Sequence, residues 1–435
     1  MSFYDIIHDC FSSDQFQWNY YAKNPSTNPL SHPERSYDFI CEYFGNGAKE
    51  YAVNLTNECF IAPTNTCANS EALSANKLPA LRISKYRAAH TVSSYFLGVF
   101  LEEKLKQLVG SVVIRSDNCT FLFSYMWFLL CLYHDFGYIV EEHWSPQVCE
   151  KSSKLSPSSI GFFELEKILK ALGINYTPNK INSYANRSPS TKRWPPFKTP
   201  ELGWELLESC PSLSLNFDCG AHITKFTYST NIIHKYFLYC INELSKPVYN
   251  HGIIGGYLFF DRMVKNYLTA YIDYCRSQEE SPPPLDNFTW NDKHFSIDQI
   301  PLFAYLADCI IAHNIWKADS HSEEIYIKYG LSKLVGPQFR KISFHTNPLL
   351  FFLAITDTLD PYKVYGVVSK EAKDALSIWK SIDYTINGSM LTVTSCDERY
   401  SIKQLFEKAK GLESWTEVTG AQLINDTSFR LNIIV

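Results

Sequence analysis

The apolar residues of this chain recur mainly at helical spacing. From Leu81 to Leu108 they return every three or four positions with polar residues between them, which predicts an amphipathic helix. From Phe121 to Tyr133 the chain is apolar on every side, a pattern typical of a helix buried on all faces. Because this run is shorter than the ~20 residues that cross a bilayer, we interpret it as a core helix.

Three further helices are predicted in the second half of the chain. A helix interior excludes proline, so the SPPP run ends the first of them. Pro301 and Pro348 lie near predicted helix starts, where proline is tolerated, and Pro361 follows a predicted helix end. The predicted start and end of each helix are His251 and Cys275, Asp298 and His313, and Asn347 and Asp360.

The spacing of apolar residues changes from helical to alternating in the last part of the chain. Apolar and polar residues alternate in IDYTINGSMLTVTS around Asn387-Gly388, a dipeptide that favours a β-hairpin. A helix over Ile402 to Leu412 and a final strand, FRLNIIV, are predicted to follow. We therefore expect a small C-terminal α+β unit at residues 366–435, after a mostly α-helical body at residues 76–365.

In two segments the apolar residues do not recur at a regular spacing. Residues 1–75 are rich in Asn, Ser, Pro and aromatic residues, which predicts an irregular N-terminal segment packed on the main body. Residues 142–200 include SKLSPSSI and YANRSPSTKRWPPFKTP, whose composition is typical of surface loops. We interpret this second segment as a loop insertion in the helical body.

Composition and charge narrow the class of protein. A chain of 435 residues can bury a substantial core. Its formal net charge of -5 does not favour a surface built mainly for nucleic-acid phosphates. The opening residues, MSFYDIIHDCFSS, do not follow the pattern of a signal peptide. We therefore expect a cytoplasmic protein with no membrane partner, for which nucleic acid is not the favoured ligand.

Histidines and aspartates recur within or beside the most apolar segments. His134 and Asp135 directly follow the wholly apolar helix, where an imidazole and a carboxylate are costly to bury unless they are paired or bind a metal. A single histidine in such a place is more often a structural residue. The whole set is more informative, because helix bundles assemble metal sites from ligands on separate helices. That set is His90, His134, Asp135, His251, His313 and Asp357.

The order of these residues resembles the HD superfamily of metal-dependent phosphohydrolases, whose pattern is His, then His-Asp, then optional histidines, then Asp. The matching segments are RAAHTVSSYFLG, LCLYHDFGY, YNHGIIGGYLF, IIAHNIW and NPLLFFLAITDTLDP. The resemblance implies an HD-type helical bundle with a dinuclear metal centre. It assigns the first ion to His90, His134, Asp135 and Asp357, and the second to Asp135, His251 and His313.

The resemblance also implies a reaction. The expected activity is hydrolysis of a phosphomonoester, phosphodiester or phosphoanhydride in a phosphorylated small molecule, with nucleotides favoured. His134 and Asp135 are the catalytic candidates, since they would hold the ions whose bridging hydroxide attacks phosphorus. Their ligand types suit two divalent transition metal ions, which could be Mn, Fe, Ni, Co or Zn. Whether the chain forms a homo-oligomer stays open.

Three residues beside the ligands are candidates for substrate binding. Arg87 lies three residues before His90, and Lys317 lies four residues after His313. Each can share a helix face with its ligand and reach a phosphate, although each is equally typical of a solvated surface cation. Tyr138 is the third candidate, and it stands where several relatives have a lysine that contacts phosphate. This departure removes one expected phosphate contact.

Two alternative functions fit the same ligand pattern. One is a regulatory module in which the metal site binds a nucleotide or braces the fold without turnover. The other is a di-iron oxygenase, because HD-fold oxygenases share the six-ligand pattern but typically keep the lysine that Tyr138 replaces. Release of phosphate, stabilisation by a ligand and consumption of dioxygen distinguish the three functions.

A group of glycines follows His251. Gly252, Gly255 and Gly256 have the small size and close spacing of a phosphate-binding loop. Such a loop follows a strand, and the sequence predicts none here. We therefore interpret these glycines as sites of close helix packing around His251.

Overall fold

The computed structural model describes the helical body and the C-terminal part of the chain. The described residues are 60% helical, and for this part of the chain the prediction of a mostly helical fold with a small C-terminal α+β unit is confirmed. The described residues are 2–6, 85–115, 120–135, 137–138, 213–215, 222–223, 236, 239–240, 242–244, 250–256, 259–260, 263, 267, 274, 287–290, 293–296, 298–316, 320–331, 341–366 and 375–435.

The helices that the sequence predicts lie close to their predicted positions, whereas the short helices at 320–328, 361–365 and 375–381 were not predicted. The residues described between 251 and 274 are all helical, as predicted for the stretch that follows His251. The other helices are α1 (Lys85–Val109), α2 (Phe123–His134), α3 (Gln299–Ile315), α4 (Ser320–Lys328), α5 (Pro348–Leu359), α6 (Pro361–Tyr365), α7 (Ala375–Ser381) and α8 (Ile402–Leu412).

Four of these helices pack as a closed ring. Helix α1 contacts α2, α2 contacts α3, α3 contacts α5, and α5 contacts α1 again. Their apolar side chains are buried almost all round: in α5, for example, every residue from Pro348 to Thr356 is buried. A helix without a polar face must have neighbours on all sides, which the ring and the C-terminal unit provide. The ends of the ring helices surround a common point.

Helix boundaries follow the predicted capping residues in part. The Asn347 side chain accepts a hydrogen bond from the Leu350 amide at 3.3 Å, with Pro348 at the first helical position, so this prediction is confirmed. Asp360 ends α5 and caps α6. Asp298 stands at the N-cap position of α3, but its side chain makes no capping hydrogen bond.

The predicted start of the second helix is wrong by two residues. Phe121 belongs to strand β2 (Thr120–Leu122), which pairs with β1 (Val113–Arg115). The sheet continues through β3 (Leu213–Leu215) and β4 (His222–Ile223), in the antiparallel order β2-β1-β3-β4. Strands of two or three residues are too short to show an alternating pattern, so the sequence did not predict this sheet. A separate hairpin joins β5 (Asn287–Trp290) to β6 (Lys293–Ser296).

The C-terminal unit is an antiparallel sheet with α8 against it. Its strands are β7 (Ile382–Asn387), β8 (Met390–Ser395), β9 (Val418–Asn425) and β10 (Ser428–Ile433), in the order β7-β8-β10-β9. The predicted hairpin is confirmed, with Asn387 paired to Met390 and Gly388 in the left-handed region at φ 59°. Strand β9 was not predicted, because most of its side chains are exposed and its apolar pattern is weak.

The described N-terminal residues pack on this unit. Phe3 is buried edge-on against Trp379 and Tyr384. The rest of the predicted N-terminal segment and the whole insertion at 142–200 lie outside the described residues. The division of the chain into domains therefore stays a prediction. Within the described part of the chain, no helix has the length and apolar character needed to cross a membrane.

Candidate metal centre

The ring of helices and the helical segment that begins at His251 bring all six predicted ligands together. They form two groups, and within each group the donor atoms lie within 4.8 Å of one another. Asp135 belongs to both groups, in agreement with the division that the resemblance implied. The first group is His90, His134, Asp135 and Asp357, and the second group is Asp135, His251 and His313.

Most of the predicted ligands lie at the end of a helix, and His90 lies in the second turn of α1. Helix α2 ends at His134, and Asp135 occupies the turn that follows. Helices α3 and α5 present His313 and Asp357 from their last turns. His251 is the first helical residue of its segment. Since helix ends converge here, side chains from distant parts of the sequence meet in a small volume.

The centre is buried, with one more exposed side. His90, His134, Asp135 and His251 are at most 4% exposed. The Asp357 side chain is 15% exposed, and neighbouring Lys363 is 35% exposed. Among the described residues of the centre, Asp357 and Lys363 are therefore on the side that is more open to solvent.

Donor atoms of the first group converge at short distances. His90 Nε2 lies 2.9 Å from Asp357 Oδ1 and 3.6 Å from Asp135 Oδ2. His134 Nε2 lies 3.3 Å from His90 Nε2 and 3.6 Å from Asp135 Oδ1. Donors bonded to one ion at ~2.1 Å in neighbouring positions are themselves about 3.0 to 3.5 Å apart. The observed separations therefore fit an ion of this bond length.

The imidazole rings are held by their outer nitrogens. His134 Nδ1 lies 2.7 Å from the Cys131 carbonyl oxygen, and His313 Nδ1 lies 2.5 Å from that of Ile310. A carbonyl only accepts, so each Nδ1 carries the hydrogen and each Nε2 can face the centre with its lone pair. Metal-binding histidines in proteins are commonly oriented in this way.

The second group is organised around His251. His251 Nε2 lies 3.7 Å from Asp135 Oδ1, and the His251 and His313 rings are 5.3 Å apart. Tyr138 stacks on His251 with ring centroids 3.7 Å apart and an interplanar angle of 15°. On the other edge of the ring, the Asn314 amide nitrogen lies 3.4 Å from His251 Nδ1.

Glycines permit this arrangement by letting backbones approach closely. A Cβ atom on Gly137 would lie 1.9 Å from the His251 carbonyl oxygen. A Cβ on Gly252 would lie 2.9 Å from the Ile310 carbonyl oxygen, and one on Gly256 would lie 2.7 Å from that of Ala307. The interpretation of the glycines after His251 as helix-packing sites is confirmed.

Burial and charge together set the pKa values of the ligands. Burial acts to lower the pKa of His90, but hydrogen bonds to Asp357 and Asp360 and the charge of Asp135 raise it from 6.5 to about 9. Burial and neighbouring His251 lower the pKa of His313 to about 3, so this imidazole is neutral at pH 7. Burial opposes ionisation of Asp135, yet the surrounding histidines and Lys363 hold its pKa below the usual value.

Two residues of the centre were missed by sequence reasoning. Asp360 is fully buried, and its Oδ2 lies 2.6 Å from His90 Nδ1. Lys363 Nζ donates to Asp357 Oδ1 at 2.5 Å. The sequence showed Asp360 only as a helix stop. The spacing of three residues between Asp357 and Asp360 was the available signal for a second carboxylate near the ligands.

The donor set fits divalent transition metals. Imidazole nitrogen and carboxylate oxygen are the ligands that manganese, iron, cobalt, nickel and zinc accept in proteins. Both groups contain these donors. The neutral His313 and the ionised Asp135 are in the form that binds a cation, while His90, with a pKa raised to about 9, would release a proton when an ion binds. The residues present can therefore hold metal at two adjacent positions.

The predicted substrate-binding residues are only partly placed. Arg87 belongs to α1, and nothing is described of its side chain. Lys317 lies outside the described residues. Tyr138 lies at the centre as a partner of His251. Among the described residues, Lys363 is the cation in contact with a predicted ligand.

Comparisons with known proteins do not assign this chain to a family. The chain matches no protein-family model, no curated protein and no solved structure. The likeness to the HD superfamily therefore stays a resemblance of ordered residues, and the functional argument depends on the site itself.

Proposed function

We propose that this chain is a metal-dependent phosphohydrolase with a dinuclear, HD-type centre. One observation carries the proposal: the two ligand groups share Asp135. In two-metal sites the two ions stabilise the attacking and the leaving oxygen of a displacement, and a carboxylate common to both groups would hold two such ions close together. The proposed substrates are phosphate esters or anhydrides, with nucleotides favoured by the resemblance.

The formal charge of the site supports an anionic substrate. Asp135, Asp357 and Asp360 contribute three negative charges, and Lys363 contributes one positive charge. Metal binding requires neutral imidazoles, so His90 would lose a proton as an ion binds, and the net formal charge of the residues is then two minus. Two divalent ions would change it to two plus, and a buried site of that charge favours an anion such as a phosphoryl group.

Different residues of the centre would hold the metal ions and contact the substrate. Two bound ions would supply Lewis acidity and a water that ionises near neutral pH. His134 and Asp135 are positioned by the end of α2. His134 would help to hold the first ion, and Asp135, which belongs to both groups, would help to hold both. Lys363, at the more exposed side, is placed to contact a substrate oxygen.

The test is metal content together with phosphate release. Wild type is loaded with each candidate metal and assayed against nucleotides and cyclic dinucleotides, beside Asp135→Ala. Asp426→Ala is the matched control, because Asp426 is an aspartate with an almost fully exposed side chain. We expect near two metals per chain and metal-dependent release in wild type and in the control, and neither in Asp135→Ala.

Other outcomes separate the alternative functions. A wild type that binds no metal under any loading condition contradicts the site. Metal binding and nucleotide-dependent stabilisation without turnover would instead support the regulatory module. Iron-dependent consumption of dioxygen would support the oxygenase.

A further inference from the structure

A line of buried polar contacts leads from the first ligand group to the C-terminal unit. His90 Nδ1 lies 2.6 Å from Asp360 Oδ2. The Ser93 hydroxyl donates to Asp360 Oδ1, and Trp379 Nε1 donates to Ser93 Oγ at 3.1 Å. These four side chains are at most 1% exposed. We call them the Trp379 relay.

The carboxylate of Asp360 is fixed on both oxygens. Oδ1 accepts from Ser93 and from the Tyr362 amide at 3.0 Å. Oδ2 contacts His90 and accepts from the Lys363 amide at 2.8 Å. With these contacts in place the carboxylate has little freedom to rotate, so the orientation of the His90 ring follows that of Asp360.

The far end of the relay is held by the C-terminal unit. Trp379 lies in α7, directly before β7, and Phe3 packs edge-on against it. Tyr384 of β7 donates its hydroxyl to the Leu359 carbonyl at 2.6 Å, at the residue where α5 ends. The unit thus contacts the turn that carries Asp360 from two directions.

We propose that the C-terminal unit orients His90 through Trp379, Ser93 and Asp360, and so sets the metal affinity of the first ligand group. The inference rests on the proposed function only in requiring that this group binds a metal. In metal sites, a carboxylate that holds the outer nitrogen of a ligand histidine fixes its tautomer, and removing it typically weakens affinity about 10- to 100-fold. Here that carboxylate contacts Ser93, which in turn accepts a hydrogen bond from Trp379 of the C-terminal unit.

The test compares two buried tryptophans in the full chain. Trp379→Phe removes the indole donor of the relay while keeping an aromatic ring. Trp127→Phe is the matched control, because Trp127 is equally buried and its Nε1 donates to the Tyr95 carbonyl at 2.9 Å, outside the relay. Ser93→Ala breaks the relay without altering either tryptophan. Each protein is titrated with Co²⁺. The titration gives the affinity of each metal position, and the absorption spectrum of the bound Co²⁺ reports the geometry of its ligands.

We expect Trp379→Phe and Ser93→Ala to weaken one of two Co²⁺ affinities about tenfold and to alter its spectrum, with the other affinity unchanged. In the double variant the two losses should not add, because both changes break one line of contacts. Trp127→Phe should leave both affinities as in wild type.

Two results would overturn the inference, and they are distinguishable. If wild type binds two Co²⁺ ions but Trp379→Phe and Ser93→Ala bind them as Trp127→Phe does, the relay has no role and the proposed function stands. If wild type binds no Co²⁺, the relay and the proposed function both fail.

Discussion

The two ligand groups of the centre are supported in different ways. In the first group, His90 lies between two carboxylates, with Asp357 at one ring nitrogen and the buried Asp360 at the other. In the second group, His251 has a stacked tyrosine ring on its face and an amide at its outer nitrogen. Charged hydrogen bonds are stronger and more directional than ring stacking or an amide contact.

This difference suggests a division of roles. The first group has four protein ligands and a fixed outer contact, so we expect it to bind its ion more tightly. The second group has three protein ligands, one of them shared, and would leave more positions open for water or substrate. Its placement depends on the close approach of Gly137 to the His251 backbone. Variants in each group can break or sharpen this comparison.

The largest expected effect comes from removing one ligand of each group. His90→Asn should remove the first ion and weaken the second through Asp135, so that metal content falls below one per chain. His251→Ala should leave about one metal per chain. Both variants should lose at least about a thousandfold in turnover, since an ion contributes several kcal/mol to the transition state. Metal analysis of purified protein and initial rates measure both effects.

The matched control for these variants is His345→Ala. His345 is an exposed histidine outside both groups. The His345→Ala protein should keep both metal ions and full activity. Equal metal content in His90→Asn and His251→Ala would contradict the proposed difference between the groups.

The next effect concerns the backbone contact behind the second group. Gly137→Ala would place Cβ 1.9 Å from the His251 carbonyl oxygen, so one of the two segments must move. We expect the free energy of unfolding to fall by about 1–3 kcal/mol and the second ion to bind at least about tenfold more weakly. Chemical denaturation and metal titration measure these changes.

A matched glycine in α8 sharpens this test. No atom lies within 4 Å of a Cβ built on Gly411, and alanine favours a helix over glycine. Gly411→Ala should therefore raise the free energy of unfolding by about 0.5–1 kcal/mol. A Gly137→Ala protein with unchanged metal binding would show that the second group does not depend on this close approach.

The six residues that lie together at the centre could be picked out from the sequence because each stands in or beside an apolar helical segment, where an unpaired polar group is unfavourable. Their order added a pattern that chance placement of histidines does not give. The helix ends were also predictable where a side chain acts locally, as Asn347 does by capping α5.

The supporting residues could not be predicted in the same way. Asp360 is the residue between α5 and α6, and Lys363 lies within α6, so the helical spacing that relates Asp357 to its neighbours does not extend to them. Trp379 reaches Ser93 only through the packing of the C-terminal unit, a contact across 286 positions. Local periodicity carries no information on such contacts.

A smaller effect is expected at Lys363, which contacts a ligand of the first group. Lys363→Met removes the ammonium group that contacts Asp357 and would compete with a metal ion for this carboxylate. The metal affinity should therefore be kept or increased. Turnover should still fall about 10- to 100-fold, because a charge-assisted contact to the substrate is lost. Steady-state rates and metal titration separate the two effects. The control variant is Lys403→Met, which alters an exposed lysine of α8. Its turnover and its metal affinity should both equal those of wild type.

The smallest expected effect tests the stacked ring of the second group. Tyr138→Ala removes the ring that lies 3.7 Å from His251, while Tyr138→Phe keeps the ring and removes only the hydroxyl. Since such pairs contribute about 0.5–1.5 kcal/mol beyond burial, Tyr138→Ala should weaken the second ion by about two- to tenfold. Tyr138→Phe should bind as wild type does, and the first ion should be unaffected in both, as metal titration can show. If the phenylalanine variant instead lost the second ion as fully as the alanine variant, the hydroxyl and not the stacked face would support His251.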